Sequence, residues 1–120
     1  MIVASLQAEA AVIRPREDCE TRLLIAVPKS TYGRLELEVR LGRLGRNRLL
    51  IMDGEGRPLG VAASFPPGQP SVIVLPVPLS AVREGRLPLL VRVLAPDGSS
   101  RPLRPGELLG AEVMTVGDAR

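Results

Sequence analysis

The chain has no histidine and no tryptophan, a single cysteine and only two aromatic rings, Tyr32 and Phe65. Without histidine, the serine–histidine and cysteine–histidine constellations of nucleophilic catalysis are excluded. Zinc and iron sites of the usual His/Cys kind are excluded for the same reason. Cys19 has no partner within the chain, so the small disulfide scaffold of secreted proteins is ruled out. The longest uninterrupted apolar run has eight residues, whereas a membrane-spanning helix needs about 20. The opening residues, MIVASLQAEAAVI, have no basic start and are broken by Gln7 and Glu9, which does not fit a signal peptide. A protein of the cytoplasm or of a virion, neither exported by a signal peptide nor held by a membrane, is the expectation.

Lysine is nearly missing as well: Lys29 stands beside fifteen arginines. The net charge of +3 divides into 10 basic and 8 acidic residues over 1–60, and 6 basic and 5 acidic over 61–120. Neither half is charged strongly enough to demand an anionic partner.

Aliphatic residues and turn formers fill the space these absences leave. Twelve glycines and twelve prolines are spread along 120 residues, and they punctuate many short apolar segments. The stretch 71–98, SVIVLPVPLSAVREGRLPLLVRVLAPDG, is the most informative. Residues 72–79 are apolar on both alternating faces, which predicts a strand covered on both sides. Pro76 and Pro78 lack their N–H groups along one edge, so this strand is expected at the edge of a sheet. Ser80 is expected to cap one helical turn over 81–84, with Gly85 as its left-handed stop. Residues 87–94 resume as a strand, and Asp97-Gly98 turns the chain. Antiparallel pairing of these two strands across residues 80–85 is the simplest arrangement.

Elsewhere, residues 34–41 alternate cleanly. Leu35, Leu37, Val39 and Leu41 point one way, and Arg34, Glu36, Glu38 and Arg40 the other, as in a strand with one face on a core. Further strands are expected at 2–6 and 10–13, 22–27 (buried), 49–52, 57–64, 99–103 and 107–116. Asp53-Gly54-x-x-Arg57-Pro58-Leu59 returns as Asp97-Gly98-x-x-Arg101-Pro102-Leu103, and two hairpins turned by Asp-Gly would produce the echo. The sum is one all-β domain over 1–120: an antiparallel β-sandwich, immunoglobulin-like or jelly-roll-like, of about seven to nine short strands. Residues 1–14 would form either the opening strands or an N-terminal arm, and 117–120 a frayed tail. A tyrosine corner, a cysteine pair and a core tryptophan are missing, so an antibody-type domain is not expected.

Chemistry-bearing patterns are few. Glu36 and Glu38 share the wet face of a strand between Arg34 and Arg40, a solvated charge ladder rather than a glycosidase pair. Asp53-x-Glu55 lacks the further oxygen ligands that calcium requires. Pro28-Lys29-Ser30-Thr31 ends like a phosphate-binding loop but has no glycines where that loop needs them. Gly54-x-Gly56-x-x-x-Gly60 has the wrong spacing for a dinucleotide fold. No catalytic, metal or cofactor-binding residue is expected, and no enzyme. Arg40, Arg43, Arg46 and Arg48 form the one local basic cluster and are the candidate contact loop. With no stacking aromatic nearby they suit a protein contact better than a single-stranded nucleic acid.

The order over residues 72–116 resembles the second half of immunoglobulin-like modules in bacteriophage tails, baseplates and capsid decorations. That order is strand, short Ser-capped turn ending in Gly85, strand, Asp97-Gly98 hairpin, strand. The resemblance implies a virion structural role: non-catalytic assembly through contact with other protein subunits, as a homo-oligomer or larger array. A small nucleic-acid-binding β-barrel using the loop arginines is the alternative.

Overall fold

A computed structural model describes residues 20–29 and 34–116 of the chain. The expected arm over 1–14, the strands at 2–6 and 10–13, and the tail 117–120 lie outside the described residues. So do Cys19 and Tyr32.

The described residues form eight strands and one short 3₁₀ turn: β1 (Thr21–Ala26), β2 (Arg34–Leu41), β3 (Arg48–Asp53), β4 (Pro58–Ala63), β5 (Ser71–Val77), a 3₁₀ turn (Leu79–Ala81), β6 (Arg86–Leu94), β7 (Ser100–Arg101) and β8 (Leu108–Val116). They form two sheets. One runs β1-β6-β3-β4, with β7 also on β6, and the other runs β5-β2-β8. All pairings are antiparallel. The expected β-sandwich is the observed fold. No helix among the described residues is long and apolar enough to cross a membrane.

The alternation of β2 builds the centre of the smaller sheet as the sequence requires. Leu35, Leu37, Val39 and Leu41 are at most 2% exposed, and Arg34, Glu36, Glu38 and Arg40 turn outward. The larger sheet meets them with Leu23, Ile25, Leu49, Ile51, Leu87, Leu89, Val91 and Val93. Fully burying an aliphatic side chain of this size contributes about 2 kcal/mol. With no aromatic ring in the core cluster of the described residues, stability there rests on the interdigitation of branched aliphatics.

Three expectations are corrected. β5 and β6 do not pair across residues 80–85; β5 joins β2 and β6 joins β3 and β1, so the connection crosses from one sheet to the other. The expected helical turn over 81–84 is a 3₁₀ turn at Leu79–Ala81, preceded by Pro78 and with no side-chain cap from Ser80. Beyond it Glu84 (φ 55°) and Gly85 (φ 78°) are the two central residues of a tight turn, in which Arg83 and Arg86 exchange both backbone hydrogen bonds. Positive φ at both central residues is the two-residue hairpin geometry, and it is why Gly85 is needed there. The strand expected to be buried over 22–27 is a one-sided edge strand: Leu23 and Ile25 are buried, but Arg22 and Ala26 are exposed.

The Asp-Gly echo does produce two hairpins, β3–β4 and β6–β7, but the repeat is out of step with the structure. In the first, the positive φ belongs to Gly56 rather than Gly54, and Asp53 N–H donates to the Arg57 carbonyl. In the second, Ala95 N–H donates to the Ser99 carbonyl and Gly98 carries the positive φ. Hydrogen bonding therefore aligns Gly56 with Gly98, two residues off the sequence repeat. Pairing β2 with β5 and β3 with β6 matches the two central pairings of immunoglobulin sandwiches. Relative to that plan the first and last strands exchange places, with β1 beside β6 and β8 beside β2.

The loop between β2 and β3 is seated on the turn before β8. Gly42 and Arg43 N–H groups donate to the carbonyls of Glu107 and Gly106, and a Cβ at Gly42 would lie 2.2 Å from the Gly106 oxygen. At Gly60 a Cβ would meet only the flexible end of Leu75, at 2.8 Å. Gly42→Ala is therefore expected to destabilise the domain by about 3 kcal/mol, and Gly60→Ala by about 1 kcal/mol. Urea unfolding of both variants checks the order.

Candidate functional site

Each acid in the described residues that is buried is engaged by the fold itself. Asp53, 4% exposed at the end of β3, accepts the amide N–H groups of Glu55 (2.8 Å) and Arg57 (2.9 Å) on Oδ1, and Arg57 Nε (3.0 Å) on Oδ2. Burial pushes its pKa up, but these hydrogen bonds and the arginine charge outweigh burial and hold it below the ordinary value. Glu55 in turn bridges Arg57 (2.8 Å) and Arg83 (3.0 Å). A concavity of about 220 Å³ opens beside these groups, between Arg22, Asp53, Glu55, Arg83 and Pro88. Its carboxylates accept from backbone amides and from the Arg57 and Arg83 guanidinium groups.

The second buried acid is Glu107, 5% exposed. Arg101 donates Nη1 (3.0 Å) and Nη2 (2.5 Å) to its two carboxylate oxygens, and the Arg104 amide donates at 2.8 Å. Burial raises the Glu107 pKa; the fork from Arg101, the Arg104 amide and the two positive charges more than reverse this and leave it lowered. Arg101 comes from β7 and Glu107 from the turn before β8, so the pair ties the larger sheet to the smaller. Sequence reading missed it, since six residues and a Pro-Gly turn separate the partners.

The candidate contact arginines do not share one surface. Arg40 leaves the outer face of the β5-β2-β8 sheet, opposite Val72 and Gly110. Arg48 leaves the outer face of the larger sheet, opposite Ala63 and Leu94. Arg43 and Arg46 lie on the loop between them, and all four are exposed. Glu36 and Glu38 are where the alternation puts them, on the outer face of β2, half-buried, with Glu38 directly opposite Glu112 of β8. Among the described residues no three His, Cys, Asp or Glu side chains converge on a cation-sized site.

The feature that stands out is an apolar flank. Six large hydrophobic side chains are exposed in the described residues: Val61, Phe65, Val72, Val74, Leu79 and Leu109. Five of these six fall between positions 61 and 79, on β4, β5 and the segments that follow each. Phe65 is 87% exposed and Leu79 63%. The edge strands β4 and β5 of the two sheets run side by side here. Between them lies an open groove of about 540 Å³, lined by Leu35, Pro58, Leu59, Pro76, Val77 and Leu79 among others. The expectation that residues 72–79 are covered on both faces is thus corrected: Val72 is 56% and Val74 47% exposed. Their edge position, read from Pro76 and Pro78, is as expected.

No protein-family model matches the chain, and no characterised protein or solved structure matches it significantly.

The two buried carboxyls, both lowered, set a pH dependence. A folded-state pKa below the unfolded value gives stability that is complete above the unfolded value and is lost as pH falls through the folded one. The ordinary values are 3.8 for Asp53 and 4.5 for Glu107, so stability is expected to fall as pH drops below about 4.5. Glu107→Gln should destabilise the domain by about 3 kcal/mol at pH 7. That deficit should shrink as pH is lowered toward 3, as followed by urea unfolding at each pH.

Proposed function

We propose that the domain is a non-catalytic structural module that assembles with other protein subunits through the β4–β5 flank. The supporting observation is the exposure of Phe65, Val72, Val74 and Leu79 on β5 and the segments that flank it, with Leu79 lining the groove at its end. A contiguous exposed apolar patch costs solubility unless a partner covers it, which is the mark of a protein contact surface. Pro58, Pro76 and Pro78 on the same flank lack the N–H groups that a docking strand would pair with. The contact therefore packs side chains against side chains and does not extend either sheet. We assign the setting as a virion component, capsid decoration or tail, on the resemblance carried by residues 72–116.

Binding of nucleic acid by Arg40, Arg43, Arg46 and Arg48 is the second reading. Its support is their exposure and the lack of any acid pairing with them among the described residues. Their departure from two opposite faces weakens it, because a phosphate backbone follows one continuous surface.

Light scattering after size exclusion at low and high salt tests both. An oligomer stable at both salts is expected. The double variant Val74→Ser/Leu79→Ser should weaken association at least ten-fold, about 1.4 kcal/mol, while Arg43→Ala/Arg46→Ala leaves it unchanged. A chain that is monomeric at both salts overturns the homo-oligomer. Oligonucleotide binding that falls steeply with salt and is lost in Arg43→Ala/Arg46→Ala would replace this reading with the second.

A further inference from the structure

The outer face of the larger sheet is apolar although it should be wet. Antiparallel sheets of a two-layer sandwich carry their polar residues outside. Here the outward positions include Leu24 on β1, Leu50 and Met52 on β3, Val61 on β4, and Leu90 and Leu94 on β6. Four of these leucines are half-buried, and Met52, opposite Leu90 and Pro58, is only 5% exposed. No described strand lies over them: the second sheet packs on the opposite face. The charges on this face are mainly positive: Arg22, Arg48, Arg86 and Arg92 against Glu20. Arg92 Nη1 sits 3.5 Å from Glu20 Oε2, yet its Nε is buried without an acceptor. A buried donor left unpaired costs about 1–3 kcal/mol, so the face calls for an acidic group as well as apolar cover.

We propose that the chain's own residues 2–13 cover this face. The segment, IVASLQAEAAVI, is apolar apart from Ser5, Gln7 and Glu9, and its single charge is negative. Its composition therefore complements a leucine-lined face rimmed by arginines. The point of entry also fits. Described backbone begins at Glu20, beside Arg92, at the edge strand of this same sheet. The intervening residues Arg14-Pro15-Arg16-Glu17-Asp18-Cys19 are polar and long enough to reverse the chain. Four strands spaced about 4.8 Å apart span roughly 15 Å. Twelve residues reach about 18 Å as a helix and about 40 Å extended, so either form crosses the sheet. A tether this short holds the segment at an effective concentration in the millimolar range, which favours it over the same segment from a second copy. The proposal is independent of the β4–β5 groove, which lies on the other side of β4; Val61, opposite Leu50, belongs to this outer face and does not line the groove.

Spin labelling of the full chain tests it, and the single cysteine makes the labelling clean. In Ala8→Cys/Cys19→Ser, a nitroxide at position 8 should broaden the methyl resonances of Leu50, Met52 and Leu90 at least three-fold more than those of Val72 and Val74. Broadening should survive dilution of labelled chain into unlabelled chain, and should be relieved by Leu90→Ser. Equal or absent broadening at the two sets of methyls overturns the proposal. So does broadening that disappears on dilution, which would mean that a second copy supplies the segment.

Discussion

The register of β2 is the constraint on which the rest of the sandwich depends. Leu35, Leu37, Val39 and Leu41 enter the core from the central strand of a three-stranded sheet, and β5 and β8 take their own registers from it. A slip of one residue would place Arg34, Glu36, Glu38 and Arg40 in the aliphatic interior. Burying four charges without partners costs far more than the domain's whole stability. The same alternation that buries the leucines sets Glu38 opposite Glu112 on the outside. That like-charge pair is mildly destabilising, and it is tolerated because the register offers no other choice.

The two buried carboxylates do the work that aromatic and disulfide staples do in other small sandwiches. Asp53 closes the β3–β4 hairpin by accepting two amides and a guanidinium. Glu107 receives Arg101 from β7 and the Arg104 amide, and so joins one sheet to the other. Each is a charge satisfied on all sides, the condition under which a buried carboxylate is tolerable.

The surface divides into two apolar regions of different character. On the β4–β5 flank, Phe65, Val72, Val74 and Leu79 stand exposed, and Leu79 lines an open groove between the two edge strands. On the outer face of the larger sheet, Leu24, Leu50, Leu90 and Leu94 are half-buried and sit among arginines. The first is the surface through which we propose assembly, and the second is the surface we assign to the chain's own N-terminal segment. The loop arginines, compact in sequence, are divided between the two outer faces, with Arg43 and Arg46 at the rim.

Strand positions, the one-sided burial of β2, the edge position of β5 and the absence of histidine chemistry were all legible in the sequence. Each follows from local rules: a side-chain period of two, a missing proline N–H, a missing residue type. The partnership of β5 with β2, the exchange of β1 and β8, and the Arg101–Glu107 tie were decided only in three dimensions. They depend on which strands meet after long loops close, and residue order does not encode that. The Asp-Gly echo shows the boundary most clearly. Five matching positions out of seven predicted two hairpins correctly, yet hydrogen bonding set Gly56 against Gly98 and left the repeat two residues out of step. Local sequence determined that the chain would turn there; cross-strand pairing decided which glycine took the strained angle, because only it settles which residues face each other.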